Sequence, residues 1–423
     1  MSLSAKPKTF TSYQAFIIAV LAILQFTIVL DFMVLSPLGV LLLEKLKINT
    51  SQFGLVVSAY AFSAGISGLL AAGFADRFDR KKLLMFFYTG FIIGTFLCGI
   101  APDYHFLLIA RIVTGLFGGV VGSVSFAIIT DLFKLEVRGR VMGFVQMAFA
   151  ASQVLGIPIG LLLANHFGWH APFLMITGFG VLLGIVIMVY MKPVTAHLQM
   201  RSERNPVVHL FETLVKPRHL LAFSATTLLA TGGFMLMPFA SAFTTHNLGI
   251  TVDQLPLLYG ITGVFSIIFG PLAGRLSDKV GKYAVFVAGS LITMTTVAIY
   301  TNMGASSFAL VALINVLMFL GVSSRMIAAS ALTTAVPAPQ DRGAFMSINS
   351  SVQQISGGIG SAVAGLIVVQ TSSGALQHYN YLGDVVICAM IITIVMMRFV
   401  NKMVNPSAAK KQAEKTVDLP AEV

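Results

Sequence analysis

Charge is scarce in this chain: charged residues make up 10% of its 423 positions, against 57% hydrophobic. A soluble domain carries roughly 25% charge, so this composition cannot build an ordinary water-facing surface. Cysteine is nearly absent. Cys98 and Cys388 sit in separate apolar runs, one in each half, which excludes a disulfide framework. The chain has no Walker sequence, no nucleophile elbow and no Cys/His cluster at metal spacing. Its nearest approach to a metal pair, His166 and His170, straddles the end of an apolar run and lacks a third ligand. No catalytic residues, metal or cofactor are expected, and energy for any work must come from a gradient rather than a nucleotide.

What is present is a series of apolar runs, mostly about 19–27 residues long, enough for helices to cross a hydrocarbon core of about 30 Å. A soluble solenoid of buried helices would need polar helix faces, and these runs are apolar all round. The net charge of +11 does not indicate nucleic acid. Lys45 and Lys47 lie in one set of loops, Arg111 and Arg325 lie inside apolar runs, and the remaining cations fall at the chain ends or in every second loop. That is the positive-inside bias of a membrane protein, not a binding stripe. The first run is too long for a signal peptide and is read as a span that stays.

The fold class expected is an all-α membrane protein of twelve transmembrane helices. The spans are placed at 14–43, 54–75, 83–101, 106–131, 141–165, 171–191, 219–246, 255–274, 283–301, 307–335, 344–370 and 380–400. Residues 1–191 then form an N-terminal six-helix bundle and 219–401 a C-terminal one. Between them, 192–218 is a cytoplasmic central loop whose Val207, Val208, Leu210, Phe211 and Leu214 suit either a short interfacial helix or a plain tether. The tail 402–423 reads as solvated and disordered. An even span count with cationic ends puts both termini in the cytoplasm, and the short outer loops leave no room for an outer domain.

Two short motifs occur twice. Ala72-Gly73-Phe74-Ala75-Asp76-Arg77-Phe78-Asp79-Arg80-Lys81-Lys82 is echoed by Gly274-Arg275-Leu276-Ser277-Asp278-Lys279-Val280-Gly281-Lys282, at an offset of about 202. Arg138-Gly139-Arg140-Val141-Met142 is echoed by Arg342-Gly343-Ala344-Phe345-Met346, at about 204. Two independent motifs at nearly one offset indicate two pseudo-symmetric six-helix halves.

With these motifs, the chain resembles the major facilitator superfamily over essentially its whole length, and most closely the twelve-span drug:proton antiporter-like branch. Asp76, Arg77, Arg80 and Lys81 match the family's loop signature G-x-x-x-D-R-x-G-R-K, with Ala72 and Asp79 in place of its two glycines. The second copy keeps Gly274, Asp278, Gly281 and Lys282. Arg111 and Gly115 look like the family's R-x-x-x-G element. Gly156-Ile157-Pro158-Ile159-Gly160 is similar to a variant of its antiporter motif, without the Gly-Pro and Gly-Gly pairs. The resemblance implies proton-coupled efflux of a small organic compound from the plasma membrane by alternating access. It also implies that the charged turns latch the halves in one state, with Asp76 reaching the start of span eleven near Gly343. The latch set is Asp76, Arg77, Arg80, Lys81, Asp278, Lys282 and Gly343. At position 79 an aspartate, which tolerates a tight turn, adds a further acid to that latch.

Among the acids only Asp31 lies well inside a span, where charge costs at least about 2.5–3.5 kcal/mol and normally faces a cavity or a partner. Arg111 falls at a matching depth on span four, so an Asp31–Arg111 pair is geometrically feasible. Two readings stand: a proton carrier switched by a movable arginine, or a permanent salt bridge between spans one and four. Arg325, near the middle of span ten with Asn315 in the same span, has no counterpart in span four. It either contacts an anionic substrate group or binds helix carbonyls. Gln25, Gln146, Gln153, Asn349, Gln353 and Gln354 are further cavity candidates that equally well tie helices together. Expected partners are a small-molecule substrate, protons and the lipid bilayer, with no nucleic acid, in a monomer. Symport or organic-anion export in the same fold is the first alternative, and a non-transporting receptor or scaffold the second.

Overall fold

In a computed structural model, the structure describes residues 10–71, 75–133, 135–195, 198, 206–338 and 341–404. The helices of the first half are α1 (Ser12–Val34), α2 (Gly39–Lys45), α3 (Thr50–Ala71), α4 (Arg80–Gly99), α5 (Tyr104–Leu132), α6 (Leu135–Ala151), α7 (Ile157–Phe167) and α8 (Ala171–Tyr190). A linker helix, α9 (Pro206–Val215), precedes the second half. That half contains α10 (Pro217–Leu236), α11 (Ala240–His246), α12 (Leu255–Val280), α13 (Lys282–Asn302), α14 (Phe308–Thr333), α15 (Arg342–Ile367) and α16 (Tyr379–Val404). A two-residue antiparallel pair, β1 (Val369–Gln370) with β2 (Leu376–Gln377), closes the loop before α16.

Counting α1–α2, α6–α7 and α10–α11 as single bent spans gives twelve. Eleven are long and apolar enough to cross a membrane among the described residues. The twelfth, α15, is 26 residues long but carries Ser347, Asn349, Ser350, Ser351, Gln353 and Gln354 in its first half, with Ser356 just beyond. It is the polar span of the bundle.

Two expected straight spans are broken, and at matching places. Span one stops at Val34 and resumes at Gly39, with Pro37 in the gap. Span seven stops at Leu236 and resumes at Ala240 after a 3-10 turn holding Pro238. Proline removes an N–H donor and disfavours helix at the preceding residue, so both breaks are written in the sequence. The breaks meet. Ser36 Oγ donates to the Met237 carbonyl, and Ser241 Oγ donates to the Ser36 carbonyl at 3.0 Å. Span five is disturbed by Pro158, and a π-helical turn at Ser152–Gly156 precedes it.

The core is divided unevenly. The largest cluster draws on both halves, from Leu38, Val40, Phe53 and Val56 to Phe239, Phe243, Leu248 and Tyr379, at the cation-poor face. Toward the cation-rich face the halves keep separate cores. One is centred on Leu84, Tyr88, Val121 and Ile128, the others on Phe286 with Leu332 and on Phe223 with Phe345. Among the described residues, every side-chain hydrogen bond between the halves lies toward the cation-poor face: Ser36 and Ser241 as above, Thr50 Oγ1 to the Val368 carbonyl at 2.6 Å, and Asn165 Nδ2 to the Val252 carbonyl at 3.2 Å. The long seam between the halves is α3 against α15. There Gly54 and Gly365 let the backbones touch: a Cβ on Gly54 would lie 3.1 Å from the Gly365 Cα.

The two charged turns differ in conformation. In the second copy α12 runs through Val280 and turns at Gly281, whose φ of +107° suits glycine. In the first copy α3 ends earlier, and Asp79 stands at φ −54° as the N-cap of α4. The expected tight turn at Asp79 is therefore corrected. Its Oδ1 accepts from the Lys81 N–H at 2.9 Å and from the Val194 N–H at 3.0 Å, tying the segment after α8 to the start of α4. Tail residues up to Val404 belong to α16, and those from 405 on lie outside the described residues.

Candidate functional site

Four spans converge on a polar cluster inside the N-terminal half. Asp31 comes from α1, Tyr60 from α3, Thr95 and Cys98 from α4, Arg111 and Thr114 from α5. Asp31 and Arg111 are both 0% exposed. Arg111 Nη1 donates to Asp31 Oδ2 at 2.8 Å, and Thr95 Oγ1 donates to Asp31 Oδ1 at 3.1 Å. The guanidinium lies 4.5 Å above the centre of the Tyr60 ring, a cation–π contact that also shields it from the seam.

Glycine packing sets this geometry. A Cβ on Gly115 would meet the Tyr60 carbonyl at 2.4 Å, and one on Gly119 would meet the Ala64 carbonyl at 2.2 Å, so α5 can approach α3 only with glycine at both. On the other side of Asp31, Gly156 and Gly160 would drive a Cβ into Leu30 at 2.5 Å and Val34 at 2.9 Å. The Gly156-Ile157-Pro158-Ile159-Gly160 stretch thus clamps α1 on both sides of the aspartate. Its other face meets α12, where a Cβ on Gly260 would lie 3.8 Å from Pro158 Cγ, and in the preceding π-helical turn Val154 packs on Gly263.

The cluster is not fully satisfied. Arg111 Nε and Nη2 are buried without hydrogen-bond partners. A buried donor without an acceptor costs about 1–3 kcal/mol. The arrangement can hold a carboxylate beside a guanidinium away from water, and it leaves the arginine free donors for a second acceptor.

The other expected residues are distributed differently. Arg325 is 3% exposed on α14, its guanidinium 5.8 Å from the Phe286 ring, with Nε unpartnered. Asn315 Nδ2 donates to the Val311 carbonyl of its own helix at 3.2 Å. Asn349 Oδ1 accepts from Thr226 Oγ1 at 2.7 Å, a tie between α15 and α10. Gln25 Oε1 is buried without a partner, while Gln153, Gln353 and Gln354 are half-buried. The side chains of Gln146 and Asp76 lie outside the described residues.

Among the described residues, the latch set is not gathered at one point. Gly343 has no atom within 4 Å of its Cβ position, Arg77 and Asp278 are exposed, and Lys282 is half-buried. Arg80 is buried inside its own half, donating from Nε to Asp131 Oδ2 at 3.0 Å and from Nη1 to the Ala75 carbonyl at 2.9 Å. Lys81 Nζ donates to the Met188 carbonyl at 2.9 Å. Asp131, in the last turn of α5, is an acid at the far end of the helical hairpin that starts at the charged turn, and that spacing is its mark in the sequence. Thr95 and Tyr60 carry no such signal. No group of three or more possible metal ligands occurs among the described residues, and His170 Nε2 instead meets the Ala101 carbonyl at 3.1 Å beside the stacked Trp169 ring.

Known proteins share this architecture. The chain is 27% identical to the uncharacterized MFS-type transporter YceJ of Bacillus subtilis (strain 168) over 387 residues, covering 89% of this chain and 94% of that one. YbcL of the same organism is 23% identical over 382 residues, covering 90% and 95%. Among solved structures, a D-xylose–proton symporter matches with a TM-score of 0.72 at 19% identity, over 90% of this chain and 97% of the other. A bacterial homologue of the human lysosomal transporter Spinster, inward-facing and unoccupied, matches with a TM-score of 0.67 at 15% identity, over 93% and 97%. The sequence pattern of one family fits twice, over residues 21–231 and 222–421, once for each six-helix half. With both halves matched and the twelve-span architecture in place, the chain belongs to the Major Facilitator Superfamily of multi-pass membrane transporters.

Proposed function

We propose that the protein exports a small organic compound across the plasma membrane in exchange for protons, with Asp31 as the proton-carrying group and Arg111 as its switch. The observation that carries this reading is the fully buried Asp31–Arg111 pair with its two unpartnered arginine donors. A guanidinium that releases the carboxylate for another acceptor alters how strongly Asp31 holds a proton.

The route is alternating access between bundles 1–191 and 219–401, with the central loop 192–218 and both termini cytoplasmic. Closure at the cation-poor face with separate cores at the cation-rich face fits the inward-facing arm of such a cycle. The charged turns join across the cytoplasmic face in the opposite state, Asp76 meeting the start of α15 near Gly343, where the helix dipole favours an anion. Gln25, Gln353, Gln354 and Arg325 are the substrate-contacting candidates, and Asn349 and Asn315 contribute by holding their helices.

The test uses proteoliposomes with an internal pH dye and three probes: ethidium, xylose and benzoate. Export predicts that one probe, entering against an imposed proton gradient, shifts internal pH in the opposite sense to symport. Asp31→Asn should abolish that proton movement while Asp31→Glu keeps part of it. Proton-coupled transport persisting in Asp31→Asn would remove Asp31 from the mechanism.

A further inference from the structure

The linker helix α9 is apolar on two separate faces. Leu210 and Leu214 pack beneath the C-terminal half on the core of Ala222, Phe223, Phe345 and Ile348. Val208, Phe211 and Val215 are 52%, 64% and 63% exposed. At about 100° per residue those three fall within an arc of about 60°, centred about 110° from the packed pair. Glu212 and His209 occupy part of the remaining circumference, with Thr213 buried beyond them. A ten-residue helix with one face on the protein, one apolar face bare and one polar face has the pattern of a helix lying along a boundary between oil and water.

Its position supplies the occupant. α9 is joined by Lys216 alone to α10, a membrane span, and the first turn of α10 exposes Leu220. The bare face is therefore continuous in the chain with a lipid-facing surface. Arg218 is exposed at the junction, and the sequence places Arg201 and Arg204 just before the helix.

We propose that α9 binds the surface of the bilayer at the cation-rich face, with Val208, Phe211 and Val215 set into the acyl boundary and Arg218 facing anionic phospholipid headgroups. The lipid contact reaches the moving part of the protein. Lys216 Nζ donates to Asp341 Oδ2 at 2.6 Å, His209 Nε2 stands 3.9 Å from Asp341 Oδ1, and the His219 ring lies edge-on to Phe345 at 5.0 Å. Asp341 immediately precedes α15, which forms the seam with α3, so the headgroup-facing helix holds the end of α15 that must shift when the seam rearranges.

The full-length protein is reconstituted in phosphatidylcholine vesicles with and without phosphatidylglycerol. Nitroxide labels are placed one at a time through Val208→Cys, Phe211→Cys, Val215→Cys and Glu212→Cys in a Cys388→Ser background, Cys98 being buried. Labels at the three apolar positions should be relaxed by oxygen several-fold more, relative to a water-soluble nickel chelate, than the label at Glu212. Equal ratios at all four positions, or protection of the apolar three from both relaxers, would overturn the placement, the latter pointing to a protein partner instead. Arg218→Gln should reduce the preference of the lipid shell for spin-labelled phosphatidylglycerol over phosphatidylcholine, and an undiminished preference would overturn the headgroup assignment.

Discussion

Arg111 on the fourth span holds Asp31 on the first at 2.8 Å, with neither side chain exposed. Removing either partner leaves an uncompensated charge inside the N-terminal half. Asp31→Ala or Arg111→Ala should each destabilise the purified protein by about 3–5 kcal/mol, because desolvation of the survivor is no longer offset. Asp31→Asn with Arg111→Gln, neutral on both sides, should recover part of that loss. Thermal unfolding in detergent measures this, and a double variant no more stable than the singles would show that the two side chains are not coupled.

The approach of α5 to α3 rests on glycine. Gly115→Ala and Gly119→Ala put a methyl about 2 Å from main-chain carbonyls, an overpacking that costs roughly 1–3 kcal/mol or more. Gly122→Ala on the same helix meets nothing within 4 Å and should be neutral. Yield of folded protein and melting temperature separate the three. Equal tolerance at all three positions would contradict the packing.

Asp79 stands where the family pattern has glycine. As the N-cap of α4 and the acceptor for the Val194 N–H, it should lose about 1 kcal/mol on change to Ala, while Asp79→Asn keeps most of it. The readout is again the melting temperature, and transport should follow stability rather than fall independently.

Closure at the cation-poor face is stitched where the broken spans meet. A cysteine pair at Ser36 and Ser241, introduced into a chain lacking Cys98 and Cys388, should cross-link with a short bifunctional reagent in the state described. Cross-linking with a reducible reagent should stop transport, and reduction should restore it. Transport unaffected by efficient cross-linking would mean that this junction does not open.

The hydrogen bond from Lys216, with the charges of Lys216, His209 and His219, holds the Asp341 carboxyl below its ordinary value of 3.8. A carboxylate lowered in the folded state contributes stability that is complete above 3.8 and is lost as pH falls through the folded value. The stability gap between the parent and Asp341→Asn should therefore be constant at neutral pH and close below about pH 4. Lys216→Met should move that closure upward. A gap independent of pH would show that the carboxylate charge is not its source.

The sequence by itself determined the span count, the duplication and the isolation of Asp31. Scarce charge and run lengths fix what crosses a membrane, and two motifs at one offset fix the repeat. Pro37 and Pro238 carried the breaks of spans one and seven as well, though run length alone made those spans look continuous. Only the tertiary structure decided that the two breaks meet, that Gly156 and Gly160 clamp α1 around Asp31, and that Thr95 and Tyr60 complete the cluster. Those contacts join residues dozens to hundreds of positions apart, and threonines and tyrosines in an apolar run carry no periodic mark of the face they take. The structure likewise turned Asp79 from a turn residue into a helix cap, since a short polar side chain suits both and only the path of the segment after α8 selects between them. Arg111 was legible as an intramembrane charge. Its two unpartnered donors, on which the transport reading turns, exist only in the packed bundle, because a donor is orphaned by what surrounds it and not by its own chemistry.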